Sequence, residues 1–437
     1  MKVLKFGGTS VGSAQRMKDV TALICDGTPK IVVLSAMSGA TNSLVEISDH
    51  LYKNSKEEAI TVINRLMDKH ISVINDLYRT DEYLQKAKDV IKSVFDHIRS
   101  FTKEPFTMVE EKIILAQGEM LSSNMLHFYL LENGVRSVLL PALDFMRTNQ
   151  HVEPDTVYIK DKLQELLKAN DNAELYLTQG YICLNAKGET DNLERGGSDY
   201  TASLIGAAVQ AQEIQIWTDI DGMHNNDPRI VEKTIPVRQL HFDEAAELAY
   251  FGAKILHPTC ILPAKLNNIP VRLLNTMQPD APGTTISNLM EKGKIKAVAA
   301  KDNITAIKIK SGRMLLATGF LRKIFEIFEV YKTPIDMITT SEVGVSVTID
   351  NCRHLDEIVT DLKKFGSVTV DQDMTIVCVA GDLDWENIGF AAKIIEALKG
   401  IPVRMISYGG SNYNVSLLVK TADKNQALKA LSEYLFK

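Results

Sequence analysis

The sequence predicts an α/β fold. A mainly parallel sheet sandwiched by helices comes first, and two ferredoxin-like βαββαβ units follow. Three observations predict it. Short apolar runs alternate with long amphipathic stretches through roughly the first 290 residues. The run Lys30–Leu34 (KIVVL) is almost wholly apolar rather than alternating, as a strand buried on both faces is. The segment TPIDMI at 333–338 recurs as IPVRMI at 401–406, 68 residues on.

Taken in order, Lys2–Phe6 reads as a strand that ends in Gly7-Gly8-Thr9-Ser10 and gives way to a helical stretch through Ile24. Lys30–Leu34 ends in a second small-residue loop, Ser35-Ala36-Met37-Ser38-Gly39. Residues 57–101 are helical, with Ile63, Leu66, His70, Ile74 and Leu77 on one stripe and Leu84, Ala87, Ile91, Val94 and Ile98 on another. Pro105 falls in the break that follows, and a helix over about 116–132 leads to a strand at Ser137–Leu140. Further strands are expected at 174–183, 214–220 and 269–274, and helices at 199–211 and 243–256. Strands separated by helices predict a parallel sheet covered on both faces.

Near residue 290 a charged stretch, MEKGKIK, suits a linker. The first βαββαβ unit then runs as strand Ile304–Lys310, helix Leu315–Tyr331, strands Pro334–Thr340 and Val343–Ile349, helix Leu355–Phe365 and strand Val368–Val370. The second runs as strand Thr375–Ala380, helix Trp385–Leu398, strands Pro402–Ser407 and Val415–Val419, and helix Lys424–Tyr434. It lacks a last strand, and Ile295–Lys301 (IKAVAAK) is an unused candidate. The expected division is therefore 1–290, an inserted unit 304–372, and a second unit made of 295–301 with 375–437.

Length and composition agree. At roughly 150 residues per domain, 437 residues make about three folding units. A formal net charge of −6 with no basic block argues against nucleic acid or an anionic membrane as partner. Apolar runs fall short of the roughly 20 residues that span a bilayer, and MKVLKFGGTS has no signal-peptide core. The five scattered cysteines show no C-x-x-C spacing, which excludes a zinc ribbon and fits a reducing cytoplasm.

Four motifs carry chemistry. Lys5-Phe-Gly-Gly-Thr-Ser10 closes a strand with two glycines that let the backbone approach an anion, and Lys5 adds a compact positive charge. Its spacing matches neither the P-loop nor the dinucleotide fingerprint. A plain strand-to-helix turn is the simpler alternative. Arg195-Gly-Gly-Ser-Asp-Tyr-Thr201 opens a helix, with Ser198 or Asp199 as its cap and Arg195 suited to a carboxylate or phosphate. Trp217-Thr-Asp-Ile-Asp-Gly222, running on to Asn226-Asp-Pro-Arg229, begins where a strand ends, the usual ligand edge of an α/β sheet, although its Asp-Gly and Asp-Pro pairs are also turn formers. Phe251-Gly-Ala-Lys254-Ile-Leu-His257-Pro258 places Lys254 near a helix C-terminus, where lysines commonly complement the dipole, and His257 reads as structural. There is no H-x-x-x-H pair, nucleophile elbow or cysteine–metal spacing, so no residue is assigned to a protein-held metal. Anion loops, lysines, an arginine and carboxylates suit phosphoryl transfer, which rests on positioning and charge neutralisation.

With these motifs in hand, the chain resembles the aspartokinases. KFGGTSVG, VVLSAMSGATN, QGEMLSS, TQGYI, RGGSDYTA, WTDIDGMHNNDPR, FGAKILHP and ITTSEVGVS stand in that family's order across nearly the whole chain. The type resembled is monofunctional and lysine-sensitive, with no room for a fused homoserine dehydrogenase. The resemblance implies an amino-acid-kinase domain followed by two ACT domains. It also implies transfer of the γ-phosphoryl of ATP to L-aspartate, giving L-4-aspartyl phosphate on the way to lysine, threonine and methionine. Mg²⁺ would be held mainly by the nucleotide phosphates.

The same resemblance assigns roles. Lys5, Gly7 and Gly8 meet the transferring phosphoryl group, Asp199 holds Lys5, and Lys254 lies near the nucleotide phosphates. Thr41, Glu119, Arg195 and Ser198 form the aspartate set, with Glu119 near the substrate ammonium. Thr218, Asp219 and Arg229 are nucleotide contacts. Met314, Phe320, Leu321, Asp336, Thr340, Ser341, Glu342 and Val343 are the effector set for lysine, and a homodimer or dimer of dimers through the ACT units is implied. His224 and Ala317 depart from the family pattern, at the adenine side and in the effector segment respectively. The competing readings are a kinase acting on glutamate or acetylglutamate and a non-catalytic amino-acid sensor. The helical insert 43–101, the RGGSDYT loop and the paired repeats argue against the first, and the joint presence of Lys5, Glu119, Arg195, Asp199 and Lys254 argues against the second.

Overall fold

The computed structural model describes the chain apart from residues 194–195, 253–256, 313–317 and 437. The chain forms two compact units, Met1–Met223 with Leu256–Asn288, and His224–Ile255 with Leu289–Lys437. In chain order the first strands are β1 (Lys2–Phe6), β2 (Lys30–Leu34), β3 (Ser137–Leu140), β4 (Leu175–Gln179), β5 (Ile182–Leu184), β6 (Thr190–Asn192), β7 (Ile214–Thr218), β8 (Gln239–His241), β9 (Val271–Asn275) and β10 (Thr284–Ser287). The helices among them are α1 (Ala14–Ile24), α2 (Ala40–Tyr52), α3 (Lys56–Leu77), α4 (Asp81–Ser100), α5 (Met108–Glu132), α6 (Thr156–Ala169), α7 (Gly197–Ala208), α8 (Phe242–Tyr250) and α9 (Pro258–Leu266). β8 and α8 belong to the second unit.

In the first unit the strands stand in the order β3-β4-β2-β1-β7-β9-β10. All are parallel except β10, which runs against β9. Every residue of β2 is buried, as its unbroken apolar run requires. Lys5 on β1 stands level with Val33 of β2 and Ile216 of β7, so the β1 loop leaves the sheet between two neighbouring loops.

Several expected elements shift, each for a local reason. The helical block 57–101 is two helices: α3 ends at Leu77, Tyr78 turns inward to donate its hydroxyl to Met125 O at 2.7 Å, and α4 begins with Asp81 and Glu82 in its first turn. α5 starts eight residues before position 116, where Thr107 and Glu110 close a capping box. The strand expected over 174–183 breaks after Gln179, because Tyr181 takes a left-handed backbone (φ +70°) before β5 begins. α9 was not anticipated, although Pro258 at its first position and the His257 ring accepting from Thr259 N–H are ordinary starting signals. His257 is thus a helix cap.

The second unit continues with β11 (Ile295–Lys310), β12 (Ile338–Ser341), β13 (Gly344–Ile349), β14 (Ser367–Gly381), β15 (Met405–Ser407) and β16 (Asn414–Lys420). Its helices are α10 (Phe320–Val330), α11 (Leu355–Leu362), α12 (Phe390–Ala397) and α13 (Lys424–Leu435). Strand order is β12-β13-β11-β14-β16-β15, antiparallel throughout. The separate strands expected at 295–301 and 304–310 are one strand, β11, and those at 368–370 and 375–380 are one strand, β14. They pair along their lengths with register shifts at Lys301–Ile304 and Ile304–Ala306. Ile295–Lys301 pairs with Ile376–Gly381.

Two cores result. Ile307, Ile309 and Val347 pack with Ile324 and Phe328 of α10 and Ile358 of α11. Val298, Val377 and Leu417 pack with Ile394 of α12 and Leu431 of α13. The strand expected from Pro334 begins at Ile338, and the helix expected from Trp385 begins at Phe390, leaving Trp385 75% exposed. Among the described residues no helix is long and apolar enough to cross a membrane.

Candidate active site

Loops after β1 and β2, the end of β7, and the first turns of α2 and α7 surround a cavity of about 480 Å³ in the first unit. Gly7, Gly8, Ser35–Gly39, Thr41, Glu119, Ser198, Thr218 and Asp219 line it. The close packing of the first two loops explains the glycines. Gly7 N–H donates to Trp217 O at 3.1 Å, and Gly8 O accepts from Ser38 N–H at 3.0 Å. A Cβ on Gly8 would lie 2.7 Å from Ala36 O, so no side chain fits there.

Lys5 Nζ lies 2.7 Å from Asp199 Oδ1, with both side chains mostly buried. This corrects the expectation that Ser198 or Asp199 caps α7. The helix has no side-chain cap; Gly196 begins it in a left-handed conformation (φ +75°). A Cβ on Gly196 would also meet Cys260 Sγ at 1.9 Å. Asp199 instead directs its carboxylate at the lysine. The start of α7 therefore presents backbone N–H groups toward the cavity at Gly197 and Ser198.

Glu119 reaches the cavity from α5 and is only 5% exposed. Burial pushes its carboxyl up to about 7, against the opposing effects of the Ala36 backbone and the Lys5 charge. Among the described residues its Oε2 takes no hydrogen bond, which leaves an acceptor for an ammonium group. Thr218 Oγ1 donates to Asp219 Oδ1 at 3.1 Å at the end of β7.

Lys5, Gly7, Gly8, Thr41, Glu119, Ser198, Asp199, Thr218 and Asp219 are thus brought together. Arg195 and Lys254 lie outside the described residues. Arg229 belongs to the second unit, is 76% exposed, and pairs with Asp227 two residues back at 2.7 Å. His224 Nδ1 lies 2.7 Å from Thr234 Oγ1. Tyr181 lines the cavity without having been singled out; its ring packs on Gly197 and burial lifts its hydroxyl to about 12. The only sequence signal was a Gly-Tyr pair at a strand end. A larger cavity of about 940 Å³, between α6, α7 and α9, contains none of the candidate residues. Seven of the candidate residues line the smaller one.

In the second unit, Phe320 is a core residue, packed edge-on to Phe365. Leu321 is exposed at the start of α10, and Thr340, Ser341, Glu342 and Val343 are exposed around the β12–β13 turn. Met314 and Ala317 lie outside the described residues. The Asp336 side chain is 1% exposed and paired with Lys301 at 2.7 Å.

Comparison with known proteins matches the amino acid kinase family over residues 1–275 and an ACT domain over 377–435. The lysine-sensitive aspartokinase 3 of Escherichia coli is 31% identical over 99% of both chains. The chain belongs to the aspartokinase family. Two crystal structures of E. coli aspartokinase III superpose on this aspartokinase over 100% of both chains. One, in complex with aspartate and ADP, gives a TM-score of 0.87 at 30% identity. The other, in complex with lysine and aspartate, gives 0.80 at 31%. The family match covers the parallel-sheet unit that holds the cavity, and the ACT match covers α12, α13 and the strands between them.

Proposed function

We propose that this aspartokinase transfers the γ-phosphoryl group of ATP to the side-chain carboxylate of L-aspartate, forming L-4-aspartyl phosphate. The Lys5–Asp199 pair beside the Gly7-Gly8 loop carries the reading. The nucleophile is a carboxylate with an ordinary pKa near 3.9, already ionised at neutral pH, so the chemistry needs no general base. What it needs is relief of the repulsion between that carboxylate and the phosphate. Lys5 supplies a positive charge whose direction Asp199 fixes, and backbone N–H groups at Gly8 and the α7 start add dipoles.

Glu119 takes the substrate ammonium at its open Oε2, Thr41 and Ser198 flank the substrate, and Arg195 holds its α-carboxylate. Thr218, Asp219, Arg229 and Lys254 are assigned to the nucleotide. Among the described residues no three His, Cys, Asp or Glu side chains stand together as a metal cage. A magnesium ion accompanying ATP is assigned mainly to the nucleotide phosphates, where it would neutralise charge.

We assign regulation by an amino acid, with lysine the favoured effector, to the ACT repeat around Phe320, Leu321, Asp336, Thr340, Ser341, Glu342, Val343 and Met314. Residues 304–372 and 295–301 with 375–437 are taken as its two interleaved halves, which the pairing of Ile295–Lys301 with Ile376–Gly381 supports. Homodimer formation through this repeat is supported by β12, an edge strand with Ile338 exposed. The five cysteines are all free, in keeping with a cytoplasmic protein.

The deciding experiment is ADP release with L-aspartate, with L-glutamate and with no acceptor, the acyl phosphate being trapped by hydroxylamine. Aspartate-dependent ADP release with hydroxamate formation is expected. Equal turnover of glutamate, or ADP release without acceptor, overturns the assignment.

A further inference from the structure

Asp336 is bound by only one of its two oxygens. Oδ1 accepts from Lys301 Nζ at 2.7 Å and from Tyr250 OH at 2.8 Å. Oδ2 is buried and takes no hydrogen bond among the described residues. Lys301 also reaches Asp350 Oδ2 at 2.9 Å, and its ammonium lies 4.5 Å from the centre of the Tyr250 ring. Two carboxylates thus share one ammonium, leaving a local charge of −1 beside an open, buried acceptor oxygen. That combination is complementary to one further cation able to donate hydrogen bonds.

The same place is fastened to the end of α8. Tyr250 is the last residue of that helix, and Gly252 follows with φ +108°. A Cβ on Gly252 would lie 2.1 Å from Ala300 O, so the backbone after α8 rests directly on β11 one residue before Lys301. Side chain and main chain therefore both join the Asp336 site to the residues that lead, in sequence, to Lys254.

We propose that Lys301 and Tyr250 are positioning residues of the effector site. Lys301 holds Asp336 by Oδ1 so that Oδ2 faces a ligand's ammonium group, and the Tyr250–Asp336 hydrogen bond passes the ligand's arrival to α8 and the segment after it. Neither residue touches the ligand in this scheme. The inference rests on the effector reading above and adds how that site is built and heard. Two discrete arrangements of one hydrogen bond, biased by a ligand, are the kind of element through which coupling travels.

The test uses the full chain, with L-lysine as probe, calorimetry for binding and ADP release for inhibition. Tyr250→Phe is expected to keep uninhibited turnover, both KM values and lysine affinity within about threefold, while the lysine concentration for half-inhibition rises at least about tenfold or inhibition becomes incomplete. Lys301→Gln is expected to weaken lysine binding at least about tenfold, with Lys301→Arg restoring most of it. If Tyr250→Phe is inhibited like the wild type, or Lys301→Gln binds lysine as tightly, the positioning roles fall alone. If lysine neither binds nor inhibits the wild-type chain, the effector reading falls and takes them with it.

Discussion

Lys5 Nζ and Asp199 Oδ1 stand 2.7 Å apart although 194 residues separate them in the chain. One sits on β1, the other in the first turn of α7, so the pair ties an interior strand of the sheet to a helix start. Replacing Lys5 by Ala removes the only lysine in that contact and should lower kcat by at least about a hundredfold. Asp199→Asn keeps the positive charge of Lys5 but removes the carboxylate that directs it, and a loss of about ten- to a hundredfold is expected. Steady-state turnover of both variants checks the order; a Lys5→Ala enzyme near wild-type rate removes the lysine from the mechanism.

Glu119 makes a pH prediction. Its carboxyl is raised to about 7 by burial, so the ionised form that binds an ammonium gains ground as pH rises through that value. KM for aspartate should therefore be lowest above pH 8 and climb about tenfold for each unit below 7. Glu119→Gln cannot ionise; its KM should be high and flat from pH 6 to 8. A wild-type KM that does not change over that range would falsify the role.

Much of this was legible in the sequence, and the rest was hidden for reasons of distance. β2 could be read from KIVVL because both of its faces are covered. The start of α7 was misread because the partner that occupies Asp199 comes from the far end of the chain. β11 corresponds to two expected strands, Ile295–Lys301 and Ile304–Lys310, with the polar pair Asp302-Asn303 between them. In the fold, Asp302 is taken up by Thr375 at 2.8 Å and Lys424 at 2.6 Å, so the polar pair passes through the sheet as an irregularity rather than ending it. The burial of Asp336 is equally hidden from local sequence, because its partners Lys301 and Tyr250 stand 35 and 86 residues away.

Gly196 makes a steric prediction with a built-in rescue. An added Cβ meets Cys260 Sγ at 1.9 Å, and φ of +75° disfavours any L side chain. Gly196→Ala should lose most activity and about 1–3 kcal/mol of stability. Removing the sulfur with Cys260→Ala should return part of both in the double variant, leaving the backbone cost of roughly 1 kcal/mol. Denaturant midpoints of the four proteins measure the coupling; strict additivity means the two groups do not collide.

His70 should make the helical insert sensitive to acid. It lies on α3, fully buried against Phe95, with Nδ1–H donating to Leu66 O at 2.8 Å and Nε2 buried without a partner. Burial lowers its pKa to about 4, below the value near 6.5 of an unfolded chain. The unfolded state therefore takes up a proton first as pH falls. The stability tied to a neutral His70 is complete above about pH 6.5 and is lost progressively down to about pH 4, amounting to ~3 kcal/mol at one pKa unit per 1.36 kcal/mol. His70→Leu gives up the hydrogen bond but has nothing to protonate. Its urea midpoint should therefore fall less between pH 7.5 and 5 than that of the wild type. Equal falls would place the acid sensitivity elsewhere in the chain.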